Sequence, residues 1–371
     1  MTEEIKSTEL PVAAAAEVEP TKLEKVEAPA PEHPVETLTV TAQEEAPPVA
    51  KSEESAPTET APAEPVLPEL TNAQWGKISQ PLATIYRKLP EILEKSGHAE
   101  VFGVTLVHDA VSTEPAFSTL LILQKFIRAN SNNVEKAVDQ LTATLEWRKK
   151  QKPLESLDAE YDRSAFEGLG YVQVLGSASE VVTWNIYGAV KDYKKTFGNL
   201  EAFLKWRVAL MEAAIAKLNL STATKPIPDF GKGEDSYQIA QIHDYLNVSF
   251  LRMDPDAKAA SKAAPVIFRD FYPEMLSRKF FVNVPLVMGW LYKATTLVLS
   301  EATVKKFRVL SYGKELHAEL GEDVPEIYGG KGVKELKDLG DPVKLTTHEE
   351  APALVEQTAA PVPDAAPNPT A

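Results

Sequence analysis

All aromatic side chains of this 371-residue chain lie in one central block. Residues 71–340 contain every one of the 5 Trp, 11 Tyr and 13 Phe, whereas residues 1–70 and 341–371 contain none and are rich in Pro. A segment without aromatic residues buries too little apolar surface to offset the chain entropy that folding removes, roughly 1–2 kcal/mol per residue. The sequence therefore predicts one folded core between two disordered, acidic, Pro-rich tails.

The net charge of −15 belongs to these tails. Residues 1–70 carry −12 and residues 341–371 carry −4, which leaves the core with +1. A nearly neutral core without a long basic stripe argues against nucleic acid as the main partner. The same balance permits the core to approach an anionic membrane, which the charge of the whole chain would discourage.

Several classes of protein are disfavoured by what the sequence lacks. The chain has no Cys, which excludes disulfides, thiolate metal sites and iron–sulfur clusters and fits a reducing compartment. The N-terminal Met1-Thr2-Glu3-Glu4 has acids where a signal peptide needs basic residues, so we expect a cytoplasmic protein. Neither a complete dinucleotide or phosphate loop nor a Gly-x-Ser-x-Gly elbow is present, which disfavours nucleotide enzymes and hydrolases.

Hydrophobic periodicity divides the core into a helical part and an α/β part. Strands alternate with helices in the second part, which implies right-handed crossovers and a mostly parallel sheet, so the predicted class is α/β. The predicted divisions are an acidic tail over 1–70, a helical subdomain over 71–152, an α/β domain over 153–334 and a second tail over 335–371. Helices are predicted over residues 72–96, 118–129, 132–150, 199–218, 256–271, 286–299 and 314–320. Strands are predicted over residues 171–175, 181–187, 236–243, 279–284 and 307–310.

A few polar residues lie where the pattern expects apolar ones. Arg207 falls between Phe203 and Met211 on the apolar stripe of its helix, so the arginine must meet an anion there, because an unpaired buried charge is costly. That anion is either a core carboxylate or an acidic group of a ligand, and snorkelling of the side chain to water is the remaining alternative.

Alternation along three predicted strands aligns further polar and aromatic residues. A buried parallel strand is usually apolar on both faces, so a polar face indicates a cavity wall. The alternatives are a satisfied core histidine at His243 and a cation at the strand edge for Lys279. The three aligned sets are Thr183, Asn185 and Tyr187; Gln241, His243 and Tyr245; and Lys279, Phe281 and Asn283.

A cavity that combines Tyr, His, Arg and Lys with apolar walls suits a large ligand with acidic groups. A tyrosinate is an oxygen ligand that can hold haem iron, and the two cations could pair with haem propionates. An anionic phospholipid headgroup would use the same Arg and Lys, so the residues alone leave both ligands open.

Several motifs resemble the CRAL-TRIO (Sec-fourteen-like) family of lipid-binding proteins, over roughly residues 72–334. The resemblance implies a helical N-terminal module, a lipid-binding domain with a mostly parallel sheet, and a cavity closed by an apolar lid helix. The motifs are Leu123-Gln124-Lys125-Phe126-Ile127-Arg128-Ala129, Leu145-Glu146-Trp147-Arg148-Lys149, Phe271-Tyr272-Pro273-Glu274, Phe280-Phe281-Val282-Asn283-Val284-Pro285 and Tyr328-Gly329-Gly330-Lys331.

Four further segments are similar to the fungal subgroup of the fifth Sec-fourteen homologue, whose members are described as non-classical phosphatidylinositol transfer proteins that bind haem b. The segments are Thr183-Trp184-Asn185-Ile186-Tyr187-Gly188, Arg207-Val208-Ala209-Leu210-Met211-Glu212, His243-Asp244-Tyr245 and Arg252-Met253-Asp254.

The subgroup implies five haem contacts in this chain. Tyr245 is the expected ligand of a ferric iron, His243 lies beside it, and Tyr187, Arg207 and Lys279 surround the porphyrin. All five residue types are present.

The resemblance is weaker for inositol recognition. The typical family members carry a Glu and a Lys where this chain has Ala263 and Thr296. Lys262 and Lys293 lie nearby in the sequence as candidate substitutes.

We therefore predict a non-enzymatic protein that binds phosphatidylinositol and haem b. It would exchange lipid through peripheral, reversible contact with the endoplasmic reticulum or microsomal membrane, and support phosphoinositide homeostasis and the response to oxidants. The apolar helix over residues 286–299, with Val287, Trp290, Leu291 and Leu297, would act as the lid. The alternatives are a haem enzyme of catalase or peroxidase type, a haem sensor or carrier without lipid transfer, and an adaptor whose pocket is only structural.

Overall fold

The computed structural model describes residues 70–176, 179–248, 254–284 and 305–346. The predicted lid helix over 286–299 and most of the predicted tails lie outside these ranges, so they stay predictions. Residues 335–346, predicted as the start of the second tail, are instead ordered, because Leu336 and Val343 are buried.

Eight α-helices occur among the described residues, separated by strands and short 3₁₀ turns. The helices are α1 (Gln80–Ser96), α2 (Phe117–Ala129), α3 (Val134–Gln151), α4 (Arg163–Phe166), α5 (Tyr193–Phe197), α6 (Leu200–Lys217), α7 (Pro255–Phe271) and α8 (Leu316–Leu320). The 3₁₀ turns are Pro153–Leu157, Tyr187–Ala189, Leu220–Thr222, Gly313–Glu315, Glu326–Tyr328 and Leu336–Leu339.

Three two-stranded pairings and one five-stranded sheet account for the strands in the described ranges. The strands are β1 (Thr71–Asn72), β2 (Gly76–Lys77), β3 (Glu100–Val101), β4 (Val104–Thr105), β5 (Glu160–Tyr161), β6 (Gly170–Leu175), β7 (Glu180–Ile186), β8 (Ile239–Asp244), β9 (Leu276–Val282), β10 (Phe307–Leu310) and β11 (Lys344–Leu345). The small pairings join β1 with β2, β3 with β4, and β5 with β11.

The prediction of a helix that begins at residue 72 is wrong. Residues 71–77 form the hairpin of β1 and β2, and α1 begins only at Gln80. The physical reason is Pro81, whose missing N–H and preset φ suit the first turn of a helix better than its interior. Pro90 is tolerated inside the helix.

The five-stranded sheet has the order β10-β9-β8-β7-β6, and only β6 and β7 are antiparallel. This arrangement confirms the predicted α/β class with a mostly parallel sheet. The boundaries shift by a few residues: β8 begins at Ile239 rather than at residue 236, and Tyr187 follows β7 in a 3₁₀ turn.

Each face of this sheet is covered by different elements. The face that we call the α6 face carries Val181, Thr183 and Asn185 of β7. Val181, near the start of this strand, packs against Met211 and Ile215 of α6. The opposite face carries Trp184, Ile242 and Phe280, which pack against residues 316–336. Gly170 permits the close approach of α6 to β6, since a Cβ there would lie 2.7 Å from Leu210 Cδ2.

Buried ion pairs connect the N-terminal helices to the α/β part. Arg148 of α3 donates to Glu212 of α6 at 2.7 Å, and Tyr272 donates to the same carboxylate at 2.7 Å. Lys125 of α2 donates to Asp235 at 2.6 Å, and both side chains are fully buried. Because ion pairs need close geometry to offset desolvation, they hold α2 and α3 in one orientation against α6 and the sheet.

Replacing Glu212 tests the first of these connections. Glu212→Ala leaves Arg148 and Tyr272 buried without their shared acceptor, so we expect the free energy of unfolding to fall by about 3 kcal/mol. The measurement is the midpoint of urea unfolding at an unchanged slope. The control is Glu155→Ala, which removes an exposed partner of Lys152 and should change stability by less than about 0.5 kcal/mol. Equal losses of unfolding free energy in Glu212→Ala and Glu155→Ala would contradict the conclusion that Glu212 stabilises the protein as a buried shared acceptor.

Candidate functional site

Two rows of side chains cross the α6 face of the sheet. The register pairs Thr183 with Gln241 and Gln241 with Lys279, and in the next row it pairs Asn185 with His243 and His243 with Phe281. The second row lies close to the carboxyl ends of the strands. In open α/β sheets, ligands bind at that end, so the polar rows lie where a ligand is expected.

Tyr187 and Tyr245 meet beside His243 at the ends of β7 and β8. The Tyr187 hydroxyl is 2.9 Å from His243 Nδ1, and the Tyr187 and Tyr245 rings are 5.2 Å apart between centroids. Gly188 makes this contact possible, because a Cβ at that position would overlap the carbonyl oxygen of Leu246. The predicted alignment of Tyr187, His243 and Tyr245 on one face is thus present in the structure.

His243 is neutral in this environment. Burial lowers its pKa well below the ordinary value, and the nearby cations Lys279 and Arg207 lower it further. His243 Nε2 lies 3.4 Å from Gln241 Oε1, so a proton on Nε2 would leave Nδ1 to accept from the Tyr187 hydroxyl. The histidine therefore orients the hydroxyl of Tyr187 rather than adding charge to the cavity.

Both tyrosines are held as neutral phenols. Burial raises the pKa of Tyr245, and the neighbouring Tyr187 raises it further. Burial also raises the pKa of Tyr187, although the positive charge of Arg207 opposes this. A group that ionises Tyr245 must therefore bring a strong positive charge of its own into the cavity.

Arg207 projects from α6 toward these residues and is only 7% exposed. Its guanidinium carbon lies 5.5 Å from the ring centroid of Phe268 on α7 and 5.8 Å from that of Trp206. No carboxylate pairs with it within the described ranges, so the alternative of a salt bridge to a core acid is not supported there. Burial lowers the pKa of Arg207, and an anion beside it would relieve that desolvation.

Lys279 adds a second cation to the α6 face of the sheet, opposite Gln241. Its ammonium lies 5.4 Å from the ring centroid of Phe281 and 6.0 Å from that of Phe307. Burial and the charge of Arg207 lower its pKa to about 8. β9 has a strand on each side, so Lys279 is not a cation at the edge of the sheet.

A pocket opens beside Arg207, between α6 and the end of β7. It contains ≈ 230 Å³ of empty space, part of which is open to solvent. Its polar lining is Asn185, Tyr187 and Arg207, and its apolar lining is Leu169, Ile186, Val190, Phe197, Phe203 and Trp206.

One predicted alignment is wrong. Alternation along β9 predicts Asn283 beside Phe281 on the α6 face, but Asn283 has a φ of 58° and its side chain turns away. Its Nδ2 donates to Asp244 at 2.7 Å, and Asp244 also accepts from Tyr328 at 2.6 Å on the opposite side of the sheet. Side chains alternate between the two faces only while the backbone stays extended, so the left-handed conformation of Asn283 ends the alternation.

Two aromatic neighbours of the cations were not predicted. Phe268 and Phe307 lie on α7 and β10, and no spacing in the sequence relates them to Arg207 or Lys279. In the part of the chain that the structure describes, no helix is long and apolar enough to cross a bilayer, and no group of three His, Asp or Glu side chains is arranged to hold a metal ion.

Comparison with known proteins places this geometry in context. The profile of the CRAL/TRIO domain matches residues 169–330. "Phosphatidylinositol transfer protein SFH5" of Phaeosphaeria nodorum is 48% identical over 279 residues, which cover 73% of this chain and 83% of the relative. The protein of the same name from a Cryptococcus neoformans strain is 50% identical over 276 residues, 72% of this chain and 92% of the relative.

A solved structure described as "Crystal structure of Sfh5" superposes on the chain with a TM-score of 0.60. The two sequences are 30% identical, and the alignment covers 70% of this chain and 89% of the other.

The lysine in the site can be tested by titration. NMR of the chain with ¹³C-labelled lysine should show one ammonium that titrates near pH 8, and Lys279→Met should remove that signal. Arg207→Met should move the pKa upward, because a nearby like charge is lost. Above pH 8 the unfolded chain still holds this proton while the folded chain has released it, so this group makes unfolding less favourable as the pH rises toward about 10.4. A spectrum in which every lysine titrates above about pH 9.5 would contradict the buried environment.

Proposed function

The chain belongs to the CRAL-TRIO family of Sec-fourteen-like proteins, and from that membership we propose that it binds phosphatidylinositol and transfers it between membranes. The observation that carries the proposal is the similarity to proteins named as phosphatidylinositol transfer proteins, at 48–50% identity over nearly three quarters of the chain. Those relatives are named for transfer and not for catalysis, and the proposed role is likewise non-enzymatic.

The α6 face suits a lipid because apolar side chains lie beside cations there. Phe203 and Trp206 line the pocket together with Arg207, and Lys279 lies on the same face of the sheet against Phe281. Acyl chains gain free energy from apolar burial at roughly 0.8 kcal/mol per CH₂, while a phosphate can pair with the cations.

Lipid exchange requires the protein to meet the bilayer from the aqueous side. We propose peripheral, reversible contact, with the endoplasmic reticulum or microsomal membrane as the surface visited and phosphoinositide homeostasis as the outcome. The charge of +1 on the central part of the chain is compatible with approach to an anionic surface.

Filling the pocket tests the proposal. Val190→Trp places a large side chain in the lining, so we expect the rate of phosphatidylinositol transfer between vesicles to fall at least about tenfold, with little change in melting temperature. Val174→Trp makes the same change at an exposed position on β6 and should leave transfer unchanged. A wild-type chain that transfers no phosphatidylinositol would overturn the function itself.

We also propose haem b as a second ligand of this cavity. The favouring observation is that the structure collects Tyr187, Arg207, His243, Tyr245 and Lys279, and neither cation has a carboxylate partner within the described ranges. These residues fit the group: Tyr245 offers a phenol oxygen as the ligand of a ferric iron, and Arg207 and Lys279 offer charge for carboxylates. When bound, haem would supply a redox-active iron, from which a role in the response to oxidants would follow.

The residues of the chain would act as positioning groups in that complex. His243 orients the Tyr187 hydroxyl, and the Tyr245 ring is held between the tilted ring of Tyr187 and the stacked ring of Phe281. Anionic groups at Arg207 and Lys279 would raise the lowered pKa of Lys279. A haem enzyme would need a separate acid–base constellation, and the residues that converge in this cavity are all engaged as proposed contacts.

An absorption spectrum tests haem binding. Tyr245→Phe removes the phenol oxygen, so we expect the Soret band of the haem-loaded chain to be lost or shifted and the affinity to fall more than about tenfold. Tyr193→Phe, at an exposed position on α5, is the matched control and should leave the spectrum unchanged. A protein that stays colourless with ample haem would contradict the proposal, and so would a Soret band that is identical in wild type and Tyr245→Phe.

A further inference from the structure

Asn185 of β7 is a buried side chain with only half of its amide satisfied. It is 2% exposed, and its Nδ2 donates to the carbonyl oxygen of Ile242 at 2.9 Å. Because the carbonyl oxygen of Ile242 can only accept a hydrogen bond, the atom of the Asn185 amide that faces it is the nitrogen, Nδ2. The other atom of the amide is therefore the oxygen, Oδ1. Within the described ranges, Asn185 Oδ1 has no hydrogen-bond donor.

The unsatisfied residue lines the pocket beside α6. Asn185, Tyr187 and Arg207 form its polar lining. The Tyr187 hydroxyl is already engaged with His243, and the guanidinium of Arg207 has no described hydrogen-bond acceptor. A buried acceptor without a donor is rare in native structures, because its lost hydration is not repaid. The donor for Asn185 is therefore expected from a molecule that enters the pocket, either an ordered water or a ligand that displaces it.

The two unsatisfied groups, the guanidinium of Arg207 and the amide oxygen of Asn185, together indicate the chemistry of that ligand. Arg207 requires a negative charge, and Asn185 Oδ1 requires a hydroxyl or another donor next to it. An ionised carboxylate, such as a haem propionate, has only acceptors and would satisfy Arg207 alone. A phosphate ester of a polyol has both groups: the phosphate can accept from Arg207, and a ring hydroxyl can donate to Asn185.

We propose that Asn185 and Arg207 form a headgroup subsite that selects a phosphate flanked by hydroxyls, with Asn185 as the residue that distinguishes polyol lipids from other anionic lipids. This inference rests on the proposed binding of phosphatidylinositol and deepens it. It also supplies a polar contact for the headgroup in a chain that has Ala263 and Thr296 at the two positions noted in the sequence.

The test compares two lipids of equal charge. Full-length protein is equilibrated with phosphatidylcholine vesicles that contain equal amounts of phosphatidylinositol and of the phosphatidic acid ester of cyclohexanol, whose ring has no hydroxyl groups. The bound lipids are then counted by mass spectrometry. We expect the wild type to prefer phosphatidylinositol about tenfold, as for one lost hydrogen bond, and Asn185→Leu to bind both lipids equally.

Thr183→Val is the matched control. Thr183 is a buried neighbour on the same strand and face but does not line the pocket, so this variant should keep the wild-type preference. Haem absorption provides a second readout: Asn185→Leu should leave the Soret band unchanged, because a propionate has no proton for the amide oxygen. Soluble inositol 1-phosphate is then added to the protein loaded with phosphatidylinositol. If it displaces the lipid, the free headgroup is sufficient for binding. If it does not, the headgroup binds only as part of a lipid.

The outcomes separate this inference from the function on which it rests. Equal binding of the two lipids by the wild type overturns the role of Asn185 but leaves phosphatidylinositol binding intact, and this comparison does not depend on whether the variant folds. A folded Asn185→Leu protein with the wild-type preference also overturns it. Binding of neither lipid by the wild type overturns the proposed function itself.

Discussion

The position of α6 depends on the buried ion pair between Arg148 and Glu212. This contact joins the N-terminal helices to the helix that covers the sheet, and Tyr272 completes the coordination of the carboxylate. Arg207 lies on the same helix, so its guanidinium reaches the sheet only where that ion pair places it. Apolar packing of Met211 and Ile215 also holds α6 against the sheet, and the two buried charges add a contact that tolerates few geometries.

The cavity concentrates positive charge on a surface that burial deprives of water. Arg207 and Lys279 each lie against aromatic rings, which attract cations but do not neutralise them. The lowered pKa of Lys279 and of His243 is the consequence of this shared environment. Desolvation of these cations costs free energy that an anionic ligand would offset, which favours the proposed acidic lipid and haem over neutral ligands.

The two proposed ligands make different demands on the same residues. A phosphate and a carboxylate both satisfy Arg207, but only a hydroxyl satisfies the oxygen of Asn185, and only a strong cation such as ferric iron favours ionised Tyr245. Arg207 would therefore contact either proposed ligand, whereas Asn185 favours the lipid and Tyr245 favours haem. Competition between lipid and haem follows naturally from this overlap at Arg207.

Composition and periodicity determined the folded core, the α/β class and the presence of Arg207 and His243 on buried elements, because burial patterns follow from 3.6- and two-residue repeats. The tertiary structure decided what those patterns cannot express. Backbone geometry turned Asn283 away from the site at a φ of 58°, and packing between distant elements brought Phe268 to Arg207. Whether a buried polar atom such as Asn185 Oδ1 has a partner depends on contacts between elements far apart in the chain, which local sequence does not encode.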